Sequence, residues 1–133
     1  MRAEADRPGG PGAGAARGAR EATERASGGG KRLVCAACRR RITDTAARIE
    51  VDGLHEHSQV NPHGHVWTFG CYAEAPGCEA VGAPSGEFTW FPGHTWQIAQ
   101  CLRCGTHLGW LFTGADGRFH GLIVERLAEE DER

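Results

Sequence analysis

The sequence lacks any stretch near the roughly 20 consecutive apolar residues that a membrane-spanning helix requires. Its first ten residues, MRAEADRPGG, carry charges where a secretion signal has an apolar segment. It also has no charge excess, because 15 Lys and Arg stand against 17 Asp and Glu, for a formal net charge of -2. Broad binding to a nucleic-acid backbone is therefore not favoured. We expect a cytoplasmic protein without nucleic-acid or membrane partners.

Bulky apolar side chains are scarce in the first part of the chain, which is rich in Gly, Ala and Arg. Such a segment cannot bury enough surface to offset the entropy that is lost on ordering. A chain of 133 residues has room for one core. We therefore predict a disordered tail over 1–32, one domain over 33–127 and a polar C-terminal tail over 128–133.

Helical periodicity is also scarce after residue 32, where short strand-like segments are broken by Gly, Pro, Asn and Asp. The domain is therefore predicted to be mostly β. Strands are expected at 48–51, 66–72, 95–100, 108–113 and 119–124. The last two flank the sequence GADG at 114–117, which predicts a hairpin.

Four of the six cysteines form two CxxC pairs, CAAC at 35–38 and CLRC at 101–104. Such pairs form tight knuckles, and the Gly105 after the second pair suits the left-handed turn that a knuckle needs. Four thiolates complete a closed tetrahedron without a position for water. The sequence therefore predicts one structural zinc ion, held by Cys35, Cys38, Cys101 and Cys104. Iron as the metal and redox chemistry of the pairs are the competing hypotheses.

The other cysteines and several histidines show no recognisable catalytic spacing. Cys71 and Cys78 are interpreted as buried or loop residues without a role, with a disulfide, a sensor or a catalytic thiol as alternatives. His63, His65 and His107 have no serine or thiol partner at a suitable spacing, so we interpret them as loop or core residues.

Three of the four tryptophans fall close together, as Trp90, Trp96 and Trp110. Indoles that converge from neighbouring strands form either a core cluster or a cage for a planar or cationic ligand. The Pro92-Gly93 turn between the first two favours a surface pocket. The sequence leaves the ligand open. A methylated ammonium would use Glu87 as its acidic neighbour, and a neutral ring would pair its polar edge with backbone groups.

Several motifs in order resemble the CULT-domain family, the thalidomide-binding domains of cereblon, and in kind its single-domain bacterial members. These motifs are NPHG at 61–64, GEFTWFPGHTW at 86–96, and CLRCGTHLGW at 101–110 with Phe112 beyond it. The resemblance covers about 33–127. It implies the β-tent fold, in which two antiparallel sheets meet at an angle and are pinned by zinc.

The resemblance also implies a ligand site, in which the three tryptophans are the walls of a cage for a cyclic imide such as glutarimide. The backbone at Phe88 and Trp90 would hold the imide N–H and one carbonyl. Phe88 replaces the His of vertebrate cereblon, and a backbone contact is expected to survive that change. The predicted ligand-binding residues are Asn61, Pro62, Glu87, Phe88, Trp90, Trp96, Trp110 and Phe112.

The expected function is therefore non-enzymatic binding of a cyclic imide, either free, at the C-terminus of an aged protein, or in a uracil-like ring. Partners of a ubiquitin ligase are not implied, because the chain has no room for the other domains of cereblon. One alternative is a methionine-R-sulfoxide reductase, another β-tent family, whose knuckle resembles the residues at 104–109. That chemistry needs a later cysteine, and none follows Cys104. The other alternative is a zinc-dependent module that binds a peptide through its tryptophans.

Overall fold

The computed structural model of the protein describes residues 30–131 and contains nine strands and two short 3-10 turns within this range. The strands are β1 (Arg32–Cys35), β2 (Arg41–Asp44), β3 (Glu56–Val60), β4 (Val66–Tyr72), β5 (Cys78–Ser85), β6 (Thr95–Cys101), β7 (His107–Gly114), β8 (Gly117–Ile123) and β9 (Leu127–Glu130). The turns are Thr45–Ala47 and Val124–Arg126. Over these same residues, no helix has the length and apolarity needed to cross a bilayer. Of the disordered tail predicted over 1–32, residues 1–29 lie outside the described range, and Arg32 is the first residue of β1.

The strands form two antiparallel sheets, a three-stranded sheet in the order β2-β1-β9 and a six-stranded sheet in the order β3-β4-β8-β7-β6-β5. The prediction of a mostly β fold with two antiparallel sheets is confirmed. The first strand, β1, pairs with the last strand, β9, along its full length. The small sheet therefore joins the two ends of the described chain.

Two apolar clusters lie on opposite faces of the six-stranded sheet, because successive side chains of a strand alternate between faces. The aromatic cluster consists of Ile49, Val51, Trp67, Phe69, Cys71, Trp90, Phe91, Trp96, Trp110, Phe112, Phe119 and Ile123. The inter-sheet cluster consists of Leu33, Cys35, Ile42, Ala47, Tyr72, Ala75, Cys101, Leu108 and Leu122. The inter-sheet cluster packs the two sheets together, and the aromatic cluster contains all four tryptophans.

Three of the strand predictions match closely, since strands run over Val66–Tyr72, Thr95–Cys101 and His107–Gly114. The predicted hairpin is also present, because β7 and β8 pair up to Gly114 opposite Gly117. The prediction of a strand at 48–51 is wrong. Both of its ends make only isolated bridges. Asp52 and Gly53 adopt φ angles of 56° and 84°, which turn the chain so that Val51 bonds back to Leu54.

The short strands β1, β2, β3 and β9 and the eight-residue strand β5 were not predicted. Residues 128–130 of the predicted polar C-terminal tail belong to β9, which runs to Glu130. Its residues LAEE carry little apolar surface, and the strand forms because its backbone completes the hydrogen bonds of β1. Short edge strands such as β2 and β9 depend on backbone pairing more than on an apolar pattern, so their composition is a weak signal.

Gly121 of β8 provides a test of how tightly the aromatic cluster is packed. A Cβ atom there would lie 2.8 Å from Cδ2 of Phe69 and 3.1 Å from Cε2 of Phe112. We expect Gly121→Ala to lower the free energy of unfolding by about 1–3 kcal/mol, since both rings must shift. Urea denaturation measures the change. Gly86→Ala is the control, because a Cβ there meets nothing within 4 Å. Equal stability of the two variants would contradict the expectation.

Candidate functional site

The four cysteines of the CxxC pairs come together where the two sheets meet. Cys35 ends β1 of the small sheet and Cys101 ends β6 of the large sheet, while Cys38 and Cys104 follow in the adjoining turns. The four sulfur atoms all lie within 4.8 Å of one another. Their positions, contributed by segments more than 60 residues apart in sequence, allow one ion to fasten the two sheets to each other.

The spacing of the sulfurs suits a tetrahedral metal ion. With metal–sulfur bonds of about 2.3 Å, the sulfurs of a tetrahedral zinc site are about 3.8 Å apart. The sulfurs of Cys35 and Cys104 are 3.7 Å apart, and those of Cys38 and Cys101 are 3.6 Å apart. The residues therefore fit the predicted metal in number, donor type and distance.

Both knuckles have the same backbone form. The N–H of Arg39 donates to the carbonyl of Cys35 at 2.8 Å, and the N–H of Gly105 donates to the carbonyl of Cys101 at 2.9 Å. Arg39 and Gly105 have φ angles of 72° and 76°. The left-handed turn predicted at Gly105 is confirmed. The first knuckle makes the same turn with an arginine, at a conformational cost that a glycine would avoid.

The thiols at the centre differ in acidity. Hydrogen bonds from the hydroxyl and the backbone of Thr106 lower the pKa of Cys104 to about 6. The backbone at Arg40 lowers the pKa of Cys38, but burial and the neighbouring thiols outweigh this and raise it to about 11. One thiolate is therefore present near neutral pH, and a bound cation would favour ionisation of the others.

The two remaining cysteines lie outside the metal set. Cys78 is the cross-strand neighbour of Cys101 and packs against the inter-sheet cluster, where burial raises its pKa to about 12. Cys71 is fully buried in the aromatic cluster, where burial raises its pKa further. Both thiols are therefore protonated at neutral pH and are weak nucleophiles.

The three predicted cage tryptophans belong to one cluster on one face of the six-stranded sheet. Trp110 on β7 and Trp96 on β6 are positioned by strand pairing, since Trp96 lies opposite Phe112 and Trp110 opposite Ile98. Trp90 reaches the same cluster from the loop before β6. Its ring centroid lies 5.0 Å from that of Trp110, with the two rings nearly perpendicular.

The side chains of these tryptophans are almost completely covered. The exposed fraction is 1% for Trp90, 8% for Trp96 and 0% for Trp110. The open surface pocket favoured by the Pro92-Gly93 turn is therefore not the arrangement that the structure shows. The indoles form part of a packed core, to which the loop at 86–91 contributes Trp90 and Phe91 and is joined by the hydrogen bond from Trp96 to Glu87.

The indole N–H groups of two of these tryptophans hold neighbouring loops. Trp96 donates from Nε1 to the carbonyl of Glu87 at 2.8 Å, and Trp90 donates from Nε1 to the carbonyl of Val60 at 3.2 Å. The first bond fastens the loop before Trp90, and the second fastens Trp90 to the end of β3. Because these polar edges are already bonded, Trp90 and Trp96 can offer only their ring faces to a ligand.

Phe112, which the resemblance implies would support the floor of the cage, belongs to the same cluster as the three tryptophans. It is fully buried and contacts Phe91, Phe119 and Trp110, with ring centroids 4.9, 5.2 and 6.5 Å away. A floor built of perpendicular and tilted rings resists compression, because each ring fills the space between its neighbours.

The other predicted residues lie in two loops that approach Trp90. Asn61 is buried, and its side-chain oxygen accepts the N–H groups of His63 and His65 at 2.9 Å each, which closes the turn between β3 and β4. Pro62 and Glu87 are exposed. Phe88 is 44% exposed and has a φ angle of 59°, a strained value for a residue with a large side chain.

Sequence analysis missed four aromatic residues of this cluster, namely Trp67, Phe69, Phe91 and Phe119. Phe91 is 1% exposed and packs edge-on against Phe112, Phe119 and Phe69. Trp67 and Phe69 come from β4, and both contact Trp110 edge-on. The alternation of the predicted strand at 66–72 already placed Trp67 and Phe69 on one face, and this was the available signal.

Comparison with known proteins relates this chain to part of cereblon. No protein-family model matches the chain. It is 48% identical to cereblon of Gallus gallus over 83 residues, covering 55% of this chain and 19% of that protein. The identity to cereblon of Xenopus tropicalis is 43% over 82 residues, covering 55% and 18%. The identity to cereblon of Danio rerio is 34% over 104 residues, which cover 71% of this chain and 24% of that protein. The chain thus spans less than a quarter of the length of these cereblons.

Proposed function

We propose that this chain, which carries a cereblon-like domain, binds cyclic imides between Trp90, Trp96 and Trp110 without catalysing a reaction. The observation that carries the proposal is that these three indoles share one cluster on one face of a single sheet, above a floor built on Phe112. Residues from six separate segments supply this cluster, namely two loops at 49–51 and 90–91 and the strands β4, β6, β7 and β8. An arrangement so rich in flat apolar faces suits a compact ring better than an extended peptide.

The loop at 86–91 acts as the cover of the proposed site. Because Trp90 and Trp110 are at most 1% exposed, the ligand enters when this loop moves outward. Two indole-to-carbonyl bonds hold the loop, those of Trp96 to Glu87 and Trp90 to Val60. The strained backbone of Phe88 lies in the middle of it, and stored strain of this kind is common at ligand clamps.

The backbone of the same loop supplies the polar half of recognition. A cyclic imide presents an N–H between two carbonyls, and a backbone carbonyl and N–H at Phe88 and Trp90 pair with the N–H and one of the carbonyls. Such pairing needs no charged residue. It also accommodates a free imide, an imide at a protein C-terminus and a uracil-like ring, which share the same edge.

A zinc ion at the four cysteines supports this site by holding the two sheets together. Zinc supplies binding energy that adds to the folding energy of a small domain. The geometry of the sulfurs supports a zinc site, because their separations of 3.6 and 3.7 Å match those around a tetrahedral ion. All six cysteines are free thiols, which suits a reducing compartment such as the cytoplasm.

The test is a titration of the zinc-loaded protein with glutarimide, followed by tryptophan fluorescence and by NMR. We expect saturable binding that changes the indole signals, because the ligand lies against three of the four tryptophans. N-methylglutarimide is the matched control ligand, since its methyl group replaces the N–H that the backbone recognises. Uridine tests the uracil-like ring. Absence of a response to millimolar glutarimide, or equal binding of the N-methyl compound, would contradict the proposal.

A further inference from the structure

Trp67 on β4 has a buried indole N–H with no hydrogen-bond partner among the described residues. Its side chain is 5% exposed. An unpaired donor in such a place is destabilising, so native proteins usually provide an acceptor from the chain, from water or from a ligand. Trp90 and Trp96 follow this rule, because carbonyl oxygens accept their N–H groups.

The position of Trp67 connects this donor to the proposed imide site. Trp67 belongs to the aromatic cluster together with Trp90, Trp96 and Trp110. Its ring centroid lies 5.4 Å from that of Trp110, with the planes 81° apart. Trp67 is therefore a direct neighbour of Trp110, one of the three proposed walls of the site.

Neighbouring side chains hold the Trp67 indole in place. The ring of His65 lies 4.2 Å from it and that of His107 5.6 Å from it. The guanidinium carbon of Arg126 lies 5.2 Å from its ring centroid, and Arg126 also donates to the carbonyl of His107 at 2.8 Å. A donor fixed in this way loses little entropy when it meets an acceptor.

We propose that Nε1–H of Trp67 donates a hydrogen bond to the second carbonyl of the bound imide. This inference rests on the proposed function. The loop backbone pairs with the imide N–H and one carbonyl, and the second carbonyl then requires a donor of its own. The side chain of Phe88 is a hydrocarbon and has no hydrogen-bond donor. Trp67 is thus a fourth aromatic residue of the site, and it confers a preference for imides over lactams.

The experiment compares two ligands on Trp67→Phe. Glutarimide has two carbonyls, whereas 2-piperidone keeps the N–H and one carbonyl and lacks the second. Loss of one neutral hydrogen bond should weaken glutarimide binding about threefold to tenfold. Binding of 2-piperidone should change by less than about twofold, because 2-piperidone has no second carbonyl to accept a hydrogen bond from Trp67. Calorimetry or NMR gives both dissociation constants without depending on indole fluorescence.

The control variant is Trp96→Phe, which removes an indole N–H that already bonds to Glu87. Trp96→Phe should weaken the binding of glutarimide and the binding of 2-piperidone by the same factor. Zinc content and thermal unfolding report whether Trp67→Phe is folded. Equal losses for the two ligands in Trp67→Phe, or no loss for either, would overturn the role of Trp67 while leaving imide binding intact. A wild-type protein that does not bind glutarimide would overturn both proposals.

Discussion

Cys101→Ser is expected to unfold the domain and to abolish stoichiometric metal binding. Structural zinc sites contribute on the order of 10 kcal/mol or more of binding energy to folding, and small domains are stable by only about 5–15 kcal/mol. Cys101 is 1% exposed and ends the strand that joins the metal centre to the tryptophan-bearing sheet. Circular dichroism, thermal unfolding and zinc analysis together measure the loss.

Cys78→Ser is the matched control for this prediction. Cys78 lies directly across the sheet from Cys101, yet its sulfur is outside the four-sulfur group. The same chemical change at this neighbour should leave one zinc ion per chain and a cooperative unfolding transition. The wild-type protein should lose its transition when a strong chelator removes the metal. A Cys101→Ser variant with the wild-type melting temperature would show that the metal does not hold the sheets together.

Trp96→Ala is expected to weaken glutarimide binding by about 30-fold or more, which corresponds to about 2 kcal/mol for a central aromatic contact. Zinc content should remain near one ion per chain. Trp96 is the most informative of the three walls, because it retains 8% exposure, whereas Trp90 and Trp110 are at most 1% exposed. Alanine at either of those two positions would also open a large core cavity. Calorimetry with glutarimide measures the effect.

Phe119→Leu is the control for nonspecific damage to the same cluster. Phe119 is fully buried and packs against Phe91 and Phe112, with ring centroids 5.2 Å away in each case. This variant should lose stability while it retains binding of glutarimide. The prediction for Trp96 fails if Trp96→Ala binds like the wild type. Complete unfolding like that of Cys101→Ser would show that the tryptophans are structural, and would remove the basis for the cage.

The cluster of four cysteines could be predicted from the sequence, because each CxxC pair is a local motif. A CxxC pair places two sulfurs on one tight turn, and only one further pair was available to complete the set. The left-handed residue after each second cysteine, Arg39 and Gly105, follows from the same turn. The longer strands β4, β6 and β7 were also predictable, since their apolar residues extend over whole strands.

The short strands could not be predicted, for reasons that lie in the backbone. β9 is mostly polar and forms because β1 offers it a free edge. The segment at 48–51 has the alternation of a strand, but it makes only an isolated bridge to Tyr72 of β4 before the turn at Asp52 and Gly53 directs it back onto Leu54. In both cases the partner, which sequence alone does not name, decided the outcome.

The sequence by itself determined the cluster of four cysteines, the β class and the set of tryptophans that lie near one another, because these depend on residue type and short spacing. Only the tertiary structure decided how deeply the tryptophans are covered and which N–H groups find acceptors. Burial and pairing depend on contacts between distant segments, such as Trp90 with Val60 and Trp67 with Trp110. That is why Trp67, unremarkable in the sequence, proved to have the unpaired donor beside the proposed site.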